Sequence, residues 1–245
     1  MHPKFLLVAL LCYQSSFAQE TKTDSTTTKK ITYKELIIPS VLIGYGVIGI
    51  ESDALKNINE EIKEEVIENI DHKITIDDFT QYLPAVAVYG LNAMGIKGKN
   101  NFKDRTLILA TSYLLVAATT LPLKNITHVQ RPDGSSFNSF PSGHTATAFA
   151  GAEFLWQEYK DVSVWYGISG YIVASGTGFF RMYNDRHWLT DVAAGAGIGI
   201  LCTKTAYWIY PKMQKLLFKK ETKAAVIVAP FYNGRETGIG LVGRF

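Results

Sequence analysis

The stretch FPSGHTATAF, Phe140–Phe149, is where the fold of this chain is decided. A Pro-Ser-Gly turn opens into small and apolar residues that read as a helix from about Thr145 to Tyr159. A histidine, His144, stands at its mouth. A titratable ring at the start of an apolar helix calls for partners, and two other stretches supply them. KNITHVQRP, Lys124–Pro132, lies upstream, and RMYNDRHWLTD, Arg181–Asp191, lies downstream.

Working outward, six segments carry a helical pattern: Leu36–Ile50, Phe79–Ile96, Thr106–Leu123, Thr145–Tyr159, Val162–Phe180 and Thr190–Tyr210. The fold class expected is therefore all-α, a six-helix bundle. Between the first two segments lies an acidic stretch, Glu51–Asp78. In it Ile58, Ile62, Val66 and Ile70 recur every fourth residue, the pattern of an amphipathic helix lying on a surface. Short connections favour antiparallel, up-and-down packing. Helix parity then puts the end of the third helix, the start of the fourth, the end of the fifth and the start of the sixth on one face. Lys124, Arg131, His144, Arg181, His187 and Asp191 converge there.

Three cations meeting at one end of an apolar bundle repel one another unless an anion sits among them. Phosphate fits, because guanidinium forks match its oxygens. Ser142 and Gly143 stand at a helix start, where backbone N–H groups and the helix dipole also favour an anion. His187 and Asp191 are one turn apart on a helix face. A carboxylate beside one ring nitrogen fixes the tautomer and leaves the other nitrogen as a nucleophile. His144 is then placed to protonate a leaving alkoxide.

These stretches resemble the signature of the type 2 phosphatidic acid phosphatase family, which shares its fold with vanadium-dependent haloperoxidases and bacterial acid phosphatases. The family pattern is Lys-x6-Arg-Pro, then Pro-Ser-Gly-His, then Ser-Arg-x5-His-x3-Asp. Lys124, Arg131 and Pro132 match the first part, Pro141 to His144 the second, and Arg181, His187 and Asp191 the third. Phe180 stands where the family has serine. The resemblance implies that Lys124, Arg131, Ser142, Gly143 and Arg181 bind phosphate. It further implies that His187 forms a phosphohistidine, that His144 is the general acid and that Asp191 orients His187. No metal and no other cofactor is implied. The substrate expected is a lipid phosphomonoester or diphosphate. The rival readings are a broad acid phosphatase for small esters and a vanadate-dependent haloperoxidase.

The rest of the 245-residue chain bounds these readings. A net charge of +3 gives no ground for a nucleic-acid partner. Residues 1–18 read as an export signal: Lys4, the apolar run Phe5–Cys12, then a small-residue cleavage site ending at Ala18. Cleavage leaves Cys202 as the one thiol. Residues 19–35 read as a polar linker, 36–210 as the helical domain, and 211–245 as a basic segment and a β-hairpin around Asn233-Gly234. The helices are borderline in length against the roughly 20 apolar residues of a span. The protein is expected to be exported to the cell envelope, with its site facing the periplasm and its apolar faces on a membrane surface or in the bilayer.

Overall fold

A computed structural model of the chain describes residues 32–67, 75–217, 225–232 and 237–244. The expected export signal and residues 19–31 of the expected linker lie outside the described residues, as does Ile70. Eight helices are present among the described residues rather than six: α1 (Tyr33–Glu51), α2 (Asp53–Ile67), α3 (Asp77–Thr80), α4 (Leu83–Ala93), α5 (Phe102–Thr127), α6 (Gly143–Tyr159), α7 (Val164–Tyr183) and α8 (Leu189–Leu217). Ala225–Tyr232 (β1) and Thr237–Arg244 (β2) pair as antiparallel strands, Ala225 opposite Arg244. Asn233 and Gly234 fall outside the described residues.

The count differs for physical reasons. The acidic stretch forms α2 as an added surface helix. The single helix expected over Phe79–Ile96 is two, α3 and α4, because Pro84 sits in the first turn of α4. Proline suits the first turn of a helix and has no N–H to carry the hydrogen-bond ladder on from α3. α5 begins earlier than expected because Asn101 caps it, its side chain accepting the Asp104 N–H at 3.0 Å. It stops at His128, whose φ of 46° is left-handed. α8 continues through Pro211 to Leu217, so the helical domain overruns the boundary expected at 210.

α6 is the hub of the bundle and packs against α4, α5, α7 and α8. It is apolar all round rather than on one stripe, the pattern of a helix buried on every side. Ala146, Ala148, Ala150, Ala152 and Phe154 are wholly buried. α8 lies against α1, α5 and α6, and small residues allow the approach. A Cβ at Gly199 would collide with the Ala146 carbonyl, and one at Gly195 would lie 2.5 Å from the Ser142 carbonyl.

The carboxylates inside α6 face the bundle, Glu153 in an ion pair and Glu158 held by hydrogen bonds. Glu153 accepts from Lys204 Nζ at 2.8 Å, from Gln157 at 2.6 Å and from the Tyr171 hydroxyl. Glu158 accepts from the Tyr207 hydroxyl at 2.7 Å and from the Asn100 N–H at 3.0 Å. Cys202 is a buried free thiol packed with Val116, Ala146, Ala150 and Ile198.

Three described helices, α1, α5 and α8, are long and apolar enough to cross a membrane. Ile37, Ile38 and Val41 on α1, and Leu114 and Leu121 on α5, point away from the core. An exposed apolar belt of this extent marks a membrane-associated bundle.

α2 lies at the other side of the site, and its phase departs from the expected stripe. Ile58 is exposed and Asn59 is buried in its place. Asn59 donates from Nδ2 to the Thr190 hydroxyl at 2.9 Å, so a polar contact with α8 sets the rotation of the helix. Lys63 on the same face donates to the Pro132 carbonyl at 2.8 Å and lies 5.4 Å from the Trp188 ring centre.

Candidate active site

Antiparallel packing brings the end of α5, the start of α6, the end of α7 and the start of α8 to one end of the bundle. The Ser142 N–H donates to the Asp191 carbonyl at 3.0 Å, which ties α6 to α8. Lys124 Nζ reaches from α5 to the Asn138 carbonyl at 2.8 Å. The Thr127 hydroxyl donates to the Phe140 carbonyl at 3.3 Å. The loop between α5 and α6 is therefore fastened to α5, and its last residue to α8.

His187 is 3% exposed and stands just before α8. Its Nδ1 lies 3.5 Å from Asp191 Oδ2. The same oxygen accepts the Trp188 N–H at 3.0 Å and the Ser139 hydroxyl at 2.5 Å. A carboxylate held this way faces Nδ1 and favours the proton there, which leaves the Nε2 lone pair for chemistry. Burial pulls the His187 pKa down to about 4, and the Lys124 and Arg181 charges add to the fall against the pull of Asp191. The ring is neutral near pH 7, the state a nucleophile needs.

Lys124, Arg131 and Arg181 lie within one another's electrostatic reach. Arg181 is buried and pairs with Asp77 of α3, NH1 to Oδ2 at 2.5 Å. Asp77 is 1% exposed and also accepts from Asn184 Nδ2 at 3.0 Å. One of the three positive charges thus has a built-in counter-ion. Its Nε is buried without a hydrogen-bond partner among the described residues. A buried, orphaned guanidinium N–H is costly and marks a place for an acceptor. Arg131 donates from Nε to Asn138 Oδ1 at 2.9 Å. Burial lowers the Arg131 pKa, as do the charges of Arg181 and Arg186, so the guanidinium groups lie within one another's field.

Ser142 caps α6. Its Oγ lies 3.4 Å from the Thr145 N–H and 2.8 Å from the Thr145 hydroxyl. Both its hydroxyl and its amide are engaged within the protein. A Cβ at Gly143 would meet only Lys124 Cε, at an ordinary 3.8 Å, so the helix start is open on the Lys124 side.

His144 is partly exposed. Its Nε2–H donates to Asp78 Oδ1 of α3 at 2.9 Å. Burial and Arg181 lower its pKa, while Asp78 and Asp77 oppose the fall. Asp77, Asp78 and His144 offer three potential metal-donor atoms within 4.8 Å of one another. Those donors are already engaged: Asp77 by Arg181 and Asn184, and Asp78 by His144.

Sequence reasoning missed Asp77, Asp78, Ser139 and Asn138. Arg186, which flanks the third stretch, pairs with Asp133 at 3.1 Å, and the Trp188 indole N–H donates to the Gln130 carbonyl at 2.8 Å. Both pin the α5–α6 loop. His128 ends α5, and His72 lies outside the described residues.

The site and the bundle define a class. Residues 105–215 match the sequence model of the PAP2 superfamily. The chain is 40% identical to the lipid A 1-phosphatase of Porphyromonas gingivalis over 148 residues, 60% of this chain and 32% of the relative. It is 33% identical to the bacitracin transport permease protein BcrC of Bacillus licheniformis over 76 residues, 31% of this chain and 36% of that one. The chain thus spans about a third of the length of these curated relatives. Its fold is similar to that of a transmembrane PAP2-type phosphatidylglycerolphosphate phosphatase from Bacillus subtilis, with a TM-score of 0.54 and 22% identity. That likeness covers 78% of this chain and 99% of the other.

Proposed function

We propose that this protein is a metal-independent phosphatase that hydrolyses a lipid phosphomonoester or diphosphate through a phosphohistidine on His187. The observation that carries this reading is a buried, neutral imidazole oriented by Asp191 beside a guanidinium with an orphaned N–H. His187 Nε2 attacks phosphorus, and the bond to the leaving oxygen breaks as His144 gives that oxygen a proton. Water then attacks the phosphohistidine, and the now neutral His144 takes its proton. Phosphate leaves, and His187 returns to its neutral form. Lys124, Arg131, Gly143 and Arg181 hold the phosphoryl oxygens, and Ser142 fixes the helix start that presents them. These fixed positive groups supply the charge stabilisation for which other phosphatases use metal ions.

A lipid substrate is supported by the exposed apolar belt and by the relative that acts on lipid A. The N-terminal signal pattern supports export, and a site facing the periplasm goes with that reading. Lipid A 1-phosphate is the first substrate to test. Purified protein in detergent is given lipid A 1-phosphate, phosphatidic acid, phosphatidylglycerol phosphate, undecaprenyl diphosphate and p-nitrophenyl phosphate, with and without EDTA. The expected result is phosphate release fastest from one lipid, unaffected by EDTA and competitively inhibited by vanadate. Turnover confined to the water-soluble ester, or abolished by EDTA, overturns the reading.

A further inference from the structure

Asp78 lies outside residues 105–215, in the short helix α3, and nothing in the core chemistry above uses it. Its Oδ1 nevertheless accepts the Nε2–H of His144 at 2.9 Å. We infer that Asp78 is a positioning residue for the proton donor, holding His144 by Nε2 so that Nδ1 faces the leaving-group oxygen.

The inference rests on the phosphatase reading and adds a part to it. Each histidine of the site then has its own aspartate, on opposite ring nitrogens. Asp191 faces Nδ1 of His187 and frees Nε2 to attack. Asp78 engages Nε2 of His144 and frees Nδ1 to donate.

The second task of Asp78 is electrostatic. A proton donor must be protonated before the leaving group departs. The charged groups facing His144 are Arg181 from α7 and Asp77 and Asp78 from α3. Lys124 of α5 lies beside the neighbouring Gly143. Arg181 opposes the imidazolium, and Asp77 is committed to Arg181 and Asn184. Asp78 is the carboxylate in direct contact with the ring. Its side chain is half-exposed, so replacing it leaves no buried charge unpaired.

The test compares wild type, Asp78→Asn, Asp78→Glu and His187→Ala as full-length proteins in detergent, on an alkyl phosphate and on p-nitrophenyl phosphate. Asp78→Asn is expected to lose tenfold or more in alkyl kcat at pH 7 and less than threefold in aryl kcat. A nitrophenolate leaves without a proton, so the first step needs the His144 proton for the alkyl ester alone, and neutral His144 still serves the shared hydrolysis step. The falling limb of the alkyl kcat–pH profile moves to lower pH by about one unit, since a carboxylate that favours imidazolium has been removed. Asp78→Glu restores much of the alkyl rate. Equal losses on both substrates, no loss on the alkyl ester, or an unmoved limb in an active Asp78→Asn protein overturns the role of Asp78 alone. Wild type inert on both substrates, or His187→Ala with full activity, overturns the phosphatase reading itself.

Discussion

The Gly195→Ala substitution tests how closely α6 and α8 must approach for the site to exist. The added Cβ would lie 2.5 Å from the Ser142 carbonyl, 3.3 Å from Thr145 Cβ and 3.4 Å from the Ala146 nitrogen. These are backbone atoms and a branched stub, and none can swing away. Ordinary contact begins near 3.4 Å, so the two helices must separate by about 1 Å. The Ser142 N–H to Asp191 carbonyl bond, now 3.0 Å, then stretches past hydrogen-bond length. That bond joins the helix start carrying His144 to the helix carrying Asp191. A misplacement of about 1 Å costs about 10²-fold in rate, and overpacking costs about 1–3 kcal/mol of stability. Gly176→Ala on α7 is the control, because a Cβ there meets nothing within 4 Å. It should leave activity intact and add up to about 1 kcal/mol of helix propensity. The assay is kcat on an alkyl phosphate, beside thermal unfolding in the same detergent. Gly195→Ala with wild-type kcat and wild-type Tm would refute the packing described for these two helices.

Other predictions concern charge. The pH profile of kcat/KM should rise as His187 loses its proton near pH 4, since burial depresses that pKa and the nucleophile must be neutral. For an alkyl phosphate it should fall again as pH rises through the His144 pKa, which burial and Arg181 lower from its ordinary value, because His144 must be protonated. The falling limb should be absent for p-nitrophenyl phosphate, and superimposable profiles for the two substrates would contradict the assignment of His144. Lys204→Met should strand the buried Glu153 and cost about 3–5 kcal/mol, read as a lower Tm. Adding Glu153→Gln should recover most of that loss, and purely additive losses would show the pair to be uncoupled. Asp77→Ala should leave Arg181 buried without its counter-ion and lower Tm by a similar amount. An unchanged Tm would mean that water reaches that pair.

The core of the site was legible because helix parity is robust. Alternating direction forces four helix ends to one face whatever the loops do, and the charges at those ends are brought together with them. Pro84 was readable as a helix start and would have split α3 from α4. Asn101 and Asp104 were readable as a cap that starts α5 earlier. Asp77 and Asp78 were not legible. They close an acidic stretch whose apolar period pointed to a surface helix, and no local pattern distinguishes a carboxylate that turns inward to Arg181 from one that stays in water. Asn59 misled for a related reason. Periodicity placed Ile58 inward, but a hydrogen bond to Thr190, far away in sequence, outweighed one isoleucine. Ser139 lies in a loop where serine is common, and its contact with Asp191 exists only once α6 and α8 have packed.

The most direct measurement is rapid quenching of the wild-type protein during turnover of a lipid phosphate, followed by mass spectrometry of its peptides under alkaline conditions. The account predicts one phosphorylated residue, His187, in an adduct that survives alkali, decays in acid and is missing from His187→Ala, which is also inactive. Steady turnover with no phosphate on His187, together with activity in His187→Ala, would contradict it.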